Sequence, residues 1–135
     1  MLFVTRKAEF SAAHRLFNPK FSDEENEAIF DKCNNPSGHG HNYTLEVTVA
    51  GEPNSGTGYV MDLKKLSRLL DEEVIEKVDH KHLNYDVDFL KGIIPTAENL
   101  AIAFWRILCP RITEGKLYSI RVYESEKNYV EYRGE

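Results

Sequence analysis

The 135-residue sequence is short of several features, and each shortage argues against a class of protein. Two cysteines are too few for the disulfide framework of a small secreted protein. No apolar run approaches the roughly 20 residues of a membrane-spanning helix. The net charge is −5 and no basic tract appears, which argues against nucleic acid as a main partner. No basic and apolar leader opens the chain, so we expect a reducing, cytoplasmic setting.

What remains is the composition of an ordinary globular protein. Apolar residues make up 41% and charged residues 29% of the sequence, a balance that supports one modest core. Neither a linker nor a repeat interrupts the chain, so its length predicts one domain over residues 1–135.

Hydrophobic periodicity predicts two strands, then two helices, then two strands, with a short helix and a short strand as additions. Strands are expected at 2–14, 39–50, 59–61, 116–124 and 128–132. A capping box at Ser22–Glu25 predicts a short first helix, Asp62 caps a second, and Pro95–Glu98 opens a third that Pro110 ends. The second helix should bury a stripe made of Leu63, Leu66, Leu70, Val74 and Val78. This order predicts an α+β fold, an antiparallel sheet with helices packed against it.

Two histidines open the second strand. His39 and His41 begin a run in which Tyr43 and the next odd-numbered residues are apolar, while the even-numbered residues are small or polar. A period of two places both imidazoles on the apolar face, roughly 7 Å apart along the strand. The alternative is a pair of hydrogen-bonded core histidines.

His14 ends the apolar face of the first strand and is the third candidate ligand. Three strand-borne histidines favour a zinc or similar ion, with a fourth tetrahedral position left open as in catalytic zinc sites. Cys33, just before the turn that leads into His39, has two possible roles. It would close the site as a fourth ligand, or act as a nearby thiol base, and the spacing alone favours neither.

Two further positions carry acidic groups suited to chemistry. Asp79 and His80 follow the second helix, where they would form a proton-transfer dyad or, alternatively, a solvated acid and a helix-terminal histidine. Nearby His82 is expected to be structural. Glu124 lies on the apolar face of its strand with Tyr118, Ile120 and Val122. Its carboxylate would form a buried salt bridge or accept two N–H donors from a flat heterocycle such as a pterin or guanine.

Several segments together resemble the 6-pyruvoyl tetrahydropterin synthase family, and the resemblance runs nearly end to end. The segments that carry it are Phe10–Leu16, Cys33–Pro36, Gly38–Tyr43, Val78–Lys81, Pro95–Asn99, Val122–Glu124 and Tyr132–Glu135. The resemblance implies the tunnelling fold, in which two helices pack on one face of a four-stranded antiparallel sheet. It also implies trimers stacked into a homohexamer, with active sites at the subunit interfaces.

The resemblance implies a role for each candidate residue. His14, His39 and His41 would bind Zn²⁺, Cys33 would be the base, and Asp79 with His80 would relay protons. The pterin would be held by Glu124, with Thr96 and Glu98 nearby. No role is assigned to Cys109.

The family has branches that differ in product. One converts 7,8-dihydroneopterin triphosphate to 6-pyruvoyl tetrahydropterin with loss of triphosphate. A second makes 6-carboxytetrahydropterin for queuosine biosynthesis, and a third has glutamate in place of the cysteine. Cys33 argues against the third branch. The five residues between Cys33 and His39, with the insertion-like segment 22–31, favour the first. A zinc-bearing pterin-binding protein without turnover is a remote alternative.

Overall fold

The computed structural model describes residues 1–135, in which five strands and four α-helical segments alternate along the chain. The strands are β1 (Leu2–His14), β2 (His39–Gly51), β3 (Lys81–His82), β4 (Lys116–Tyr123) and β5 (Tyr129–Tyr132). The helices are α1 (Asp23–Phe30), α2 (Leu63–Leu70), α3 (Glu76–Val78) and α4 (Ala97–Leu108). The α+β class predicted from the sequence is confirmed.

The sheet has the order β3-β1-β2-β4-β5. Four strands form the antiparallel sheet that the family resemblance implies, and a fifth strand extends it at one edge. The additional strand, β3, pairs parallel to β1 at Ala12 and Ala13. A strand of two residues is too short to show a periodicity, so β3 could not be predicted from the hydrophobic pattern. Residues 59–61, predicted as a strand, form no strand, although Val60 and Met61 are buried.

The helices cover one face of the sheet and enclose a single core cluster of 25 buried residues. The predicted stripe of the second helix is fully buried at Leu66, Leu70, Val74 and Val78, whereas Leu63 is 42% exposed. These buried residues are four apart, a spacing that drifts about 40° per step around an α-helix. A π-helical turn at Asp71–Ile75 joins α2 to α3, and its wider turn keeps the stripe on one face.

A β-bulge changes which residues of β4 face the core. The register between β2 and β4 shifts between Thr48 and Val49, so Ser119 pairs with Thr48 but Leu117 pairs with Val49. Leu117 is therefore buried, and Tyr118, predicted on the apolar face, instead packs its ring 4.7 Å from that of Phe3. Beyond the bulge, Ile120 and Val122 are buried as predicted. No helix of the fold combines the length and apolar character needed to cross a membrane.

Candidate metal centre and adjoining cavity

The three predicted histidines meet at one end of the sheet. The antiparallel register of β1 with β2 pairs His14 with His39 and Ala12 with His41. His14 is fully buried, and its ring centroid lies 4.6 Å from that of His39 and 5.0 Å from that of His41. The strand alternation that put these side chains on the apolar face therefore also brings them together.

A backbone carbonyl fixes the tautomer of His14. Its Nδ1 lies 2.8 Å from the carbonyl oxygen of Pro95. A carbonyl oxygen can only accept, so Nδ1 carries the proton and donates it, which leaves the lone pair on Nε2. That lone pair points into the cluster, where His14 Nε2 is 3.0 Å from His39 Nε2. Outer hydrogen bonds of this kind are how metal-binding histidines are usually oriented.

Glu124 joins the three imidazoles, which the sequence did not predict. Its Oε1 lies 3.0 Å from His41 Nε2 and 3.9 Å from His14 Nε2. One ligand atom from each of the four residues lies within 4.8 Å of every other. The carboxylate, at the end of β4, is 30% exposed. Glu124 therefore lies at salt-bridge distance from two histidines, a contact that becomes an ion pair only when an imidazole is protonated.

The donor set fits a zinc ion. In a tetrahedral site with Zn–N distances near 2.0–2.1 Å, the ligand nitrogens are about 3.3 Å apart, close to the 3.0 Å between His14 and His39 Nε2. The buried His41 Nε2 has no hydrogen-bond partner, because its short approach to Glu124 lacks hydrogen-bond geometry. A bound cation would satisfy this nitrogen.

Burial favours the neutral, metal-binding form of His14 and His41 by lowering the pKa of each. Desolvation is the main cause that lowers the pKa of His14 from 6.5 to about 4, against the opposing effect of its Pro95 hydrogen bond. Repulsion from His39 and His41 lowers it further. Desolvation also lowers the pKa of His41, although the negative charge of Glu124 acts in the opposite direction. Metal binding near neutral pH would therefore displace no proton from His14.

The lowered pKa of His14 predicts that the metal-free protein loses stability in mild acid. Between pH 6.5 and about 4 the unfolded chain binds a proton at this residue that the folded chain does not. The free energy of unfolding therefore decreases as the pH is lowered through this range. The full shift corresponds to at most about 3 kcal/mol. Urea unfolding at several pH values, compared with His14→Gln, would measure this. If the free energy of unfolding depended on pH in the same way in both proteins, the lowered pKa of His14 would be contradicted.

Cys33 lines the cavity beside the cluster. It lies in a 3₁₀ turn (Asp31–Asn34) and shares a cavity of about 580 Å³ with Lys32, Asn35, His39, His41 and Glu124. Its Sγ is not among the clustered ligand atoms. This geometry suits a thiol acting beside a metal better than a fourth metal ligand.

Asp79 and His80 lie outside that cavity. The His80 Nδ1 is 3.0 Å from Asp79 Oδ2, and the other carboxylate oxygen accepts a hydrogen bond from the Ser11 backbone N–H at 2.9 Å. The Ser11 bond is the main cause that lowers the pKa of Asp79. The His80 side chain is 82% exposed and lines a different cavity with Ser11 and Asn42. The dyad therefore exists, but within one chain it does not line the cavity of Cys33.

The remaining predicted residues lie at the borders of the site. The Thr96 hydroxyl accepts a hydrogen bond from the Asn99 N–H and so caps α4, and Glu98 is exposed in its first turn. Both follow Pro95, which bonds His14, but neither lines the Cys33 cavity. His82 stacks on Tyr85 with ring centroids 4.5 Å apart, consistent with a structural role.

Sequence reasoning missed three further residues of the site. The Pro95 carbonyl is a backbone group, so no side-chain pattern marks its contact with His14. Lys32 lies within the Cys33 turn and Asn35 directly follows it, and their closeness to Cys33 in the sequence was the only signal for them.

Comparison with known proteins agrees with these features. The sequence matches the family model described as 6-pyruvoyl tetrahydropterin synthase over residues 3–135. It is 46% identical over 132 residues to the 6-pyruvoyl tetrahydrobiopterin synthase of Homo sapiens, covering 98% of this chain and 91% of that protein. Against the 6-carboxy-5,6,7,8-tetrahydropterin synthase of Rickettsia bellii it is 28% identical over 150 aligned residues, covering 97% and 99%.

The fold comparison gives the same relationship. The structure of Caenorhabditis elegans 6-pyruvoyl tetrahydropterin synthase matches with a TM-score of 0.93 at 41% identity, covering 99% of this chain and 96% of that chain. The resemblance seen in the motifs is confirmed, and the chain belongs to the 6-pyruvoyl tetrahydropterin synthase family, a family of lyases.

Proposed function

We propose that the protein converts 7,8-dihydroneopterin triphosphate to 6-pyruvoyl tetrahydropterin, with loss of triphosphate and with zinc as the cofactor. The observation that carries this proposal is one cavity lined by Cys33, His39, His41 and Glu124. It combines a thiol, a set of metal ligands and a carboxylate within reach of one small molecule.

The pyruvoyl product is favoured over the carboxy product by similarity. The Homo sapiens relative, whose name carries the pyruvoyl product, is 46% identical, against 28% for the Rickettsia bellii relative named for the carboxy product. The capping-box helix α1 lies in segment 22–31, which by the family resemblance corresponds to an insertion of the pyruvoyl branch. The carboxy product is therefore the second candidate.

His14, His39 and His41 would hold the zinc ion. When bound, zinc acts as a Lewis acid that lowers the pKa of hydroxyl groups on the substrate side chain. The Pro95 carbonyl holds His14 in the ligating tautomer, and burial of His14 excludes water from that side of the site. The remaining open side of the cluster faces the Cys33 cavity, where a substrate side chain fits.

The Cys33 thiolate would remove a proton from a carbon of the substrate side chain. His80, oriented by Asp79, would return a proton to the substrate. Because the dyad does not line the Cys33 cavity of its own chain, the proposal requires His80 from an adjacent subunit. A homohexamer, as the family resemblance implies, would bring one chain's dyad to another's cavity. Elimination of triphosphate leaves one side-chain carbonyl, and the second forms as tautomerisation transfers two hydrogens from the remaining side-chain alcohol to the dihydropterin ring. The oxidation of the side chain and the reduction of the ring therefore balance, and no external oxidant or reductant is required.

The Glu124 carboxylate would hold the pterin by accepting hydrogen bonds from two N–H donors on the edge of the flat pterin ring. Replacement by glutamine puts an N–H donor where an acceptor is needed, so Glu124→Gln should weaken pterin binding at least about 10-fold. Calorimetric titration with a pterin would measure this, with an analogue that lacks the 2-amino group as the control ligand. Zinc content should be retained.

Two outcomes would contradict that assignment. Unchanged pterin affinity in the glutamine variant would leave Glu124 with no role beyond its contact with His41. Loss of zinc in the same variant would make Glu124 a metal ligand, which its 3.0 Å approach to His41 Nε2 also permits.

Incubation of the zinc-loaded protein with dihydroneopterin triphosphate tests the proposal as a whole. Mass spectrometry of the products should find 6-pyruvoyl tetrahydropterin and free triphosphate. A 6-carboxy product would assign the protein to the other branch. Pterin binding without any turnover would support the remote alternative of a zinc-bearing binding protein.

A further inference from the structure

One residue ties the metal-bearing strand to two loops of the site. The Arg15 side chain, next to His14, donates from Nε to the Asn34 carbonyl at 2.9 Å and from Nη2 to the Asn34 side-chain oxygen at 3.1 Å. Its backbone N–H donates to Asn84 Oδ1, and its carbonyl accepts from Asn84 Nδ2, both at 2.8 Å. Arg15 therefore makes four hydrogen bonds with two asparagines.

The bonds to Asn34 bear directly on Cys33. Asn34 follows Cys33 in a short 3₁₀ turn, a conformation with poor internal hydrogen-bond geometry. Leu16, the residue after Arg15, adds a third hydrogen bond to the turn, because its N–H donates to the Cys33 carbonyl at 2.8 Å. The turn is thus held from outside, by the two residues that come directly after His14. Arg15 and Leu16 therefore fix the distance between the Cys33 thiol and the buried imidazole of His14.

Asn84 holds the other side of Arg15. Its amide pairs with both backbone groups of Arg15, as a neighbouring strand residue would. Asn84 follows β3, whose His82 side chain accepts a hydrogen bond from the Asn84 N–H at 3.3 Å. The loop after β3 therefore fixes the backbone from which the Arg15 guanidinium reaches the Cys33 turn.

The geometry distinguishes positioning from a simple charge effect. Two guanidinium nitrogens bond two different oxygens of Asn34, and the guanidinium carbon lies 4.1 Å from the centroid of the Phe17 ring. This pattern needs a flat group with fixed donor directions, which lysine lacks although it carries the same charge.

We propose that Arg15, held by Asn84, is a positioning residue that sets the Cys33 thiol against the metal-bearing end of β1. The proposal rests on the proposed function, because it takes Cys33 to be the base. Arg15 would act through the Cys33 turn and would not contact the substrate.

The test compares Arg15→Lys, Arg15→Gln and Asn84→Asp with the control Arg6→Gln, an exposed arginine in β1, the strand that Arg15 follows. Asn84→Asp keeps the acceptor for the Arg15 N–H and removes the donor to its carbonyl. We expect both Arg15 variants to lower kcat about 10-fold or more, since small misplacements of a reacting group have large effects on rate. Asn84→Asp should lower kcat in the same direction, while KM and zinc content stay near the control values.

Two measurements do not depend on turnover. Alkylation of Cys33 by iodoacetamide, separated from Cys109 by peptide mass spectrometry, should become several-fold faster in Arg15→Lys and Arg15→Gln. Hydrogen exchange of the Leu16 amide, which bonds the Cys33 carbonyl, should also become faster. Control Arg6→Gln should change neither.

Normal kcat and normal Cys33 alkylation in Arg15→Lys would overturn the proposal, because charge alone would then suffice. Faster alkylation with unchanged kcat would also overturn it, since the position of the turn would not matter to turnover. If no protein, including the wild type, acted on the pterin triphosphate, the proposed function would fail. Alkylation and amide exchange would still decide whether Arg15 holds the Cys33 turn.

Discussion

His39→Ala should leave the protein almost free of zinc, from an expected content of about one ion per chain. The residue supplies one of three imidazole nitrogens, and changes to outer partners of metal ligands alone weaken binding about 10- to 100-fold. Removal of a ligand itself should therefore cost more than about 100-fold in affinity, and turnover should fall with it. Elemental analysis of protein purified without chelators, together with zinc titration, would measure both effects.

His82→Ala is the matched control for that experiment. It removes an imidazole that stacks on Tyr85 and does not belong to the cluster of ligand atoms. Its zinc content should equal that of the wild type. Carefully purified wild-type protein with no bound metal, or full zinc content in His39→Ala, would show that the cluster is not the metal site.

Cys33→Ala should lower turnover by roughly 100-fold or more, the typical contribution of one general base. Zinc content and fold should be retained, because Sγ lies outside the group of clustered ligand atoms. Steady-state kinetics with parallel metal analysis would measure this. Cys109→Ala, which removes the exposed second cysteine, should leave both quantities unchanged.

The result for zinc decides between the two roles that the sequence left open for Cys33. If zinc is lost together with activity, the thiol is a fourth ligand and the metal site is closed to substrate. If activity persists without the thiol, another group removes the proton and the proposed mechanism is wrong.

The parts of the site that the sequence predicted are those governed by strand alternation. His39 and His41 could be assigned to the apolar face of β2 because a period of two fixes the side of every residue. The pairing of His14 with His39 follows from the register of β1 and β2, two strands of equal length in which every residue is paired. Local periodicity therefore predicted the candidate metal ligands, and in the structure the three imidazoles lie together.

The parts that could not be predicted depend on packing between distant segments. Glu124 reaches the imidazoles because β4 lies beside β2, and Tyr118 leaves the apolar face because of a bulge between those same strands. A bulge adds one residue without any mark in the hydrophobic pattern. Likewise, nothing in the adjacency of Asp79 and His80 revealed that they lie outside the cavity of Cys33.

The π-helical turn at Asp71–Ile75 has a consequence for how relatives of this protein should be aligned. A π turn forms where a helix takes in one additional residue while both of its ends stay in position. A relative with one residue fewer in this segment would have an ordinary helix there, with the ends still anchored at the core and at the edge of β1. An alignment that forbids a single-residue gap at this point would shift Asp79 and His80 out of register and hide the dyad.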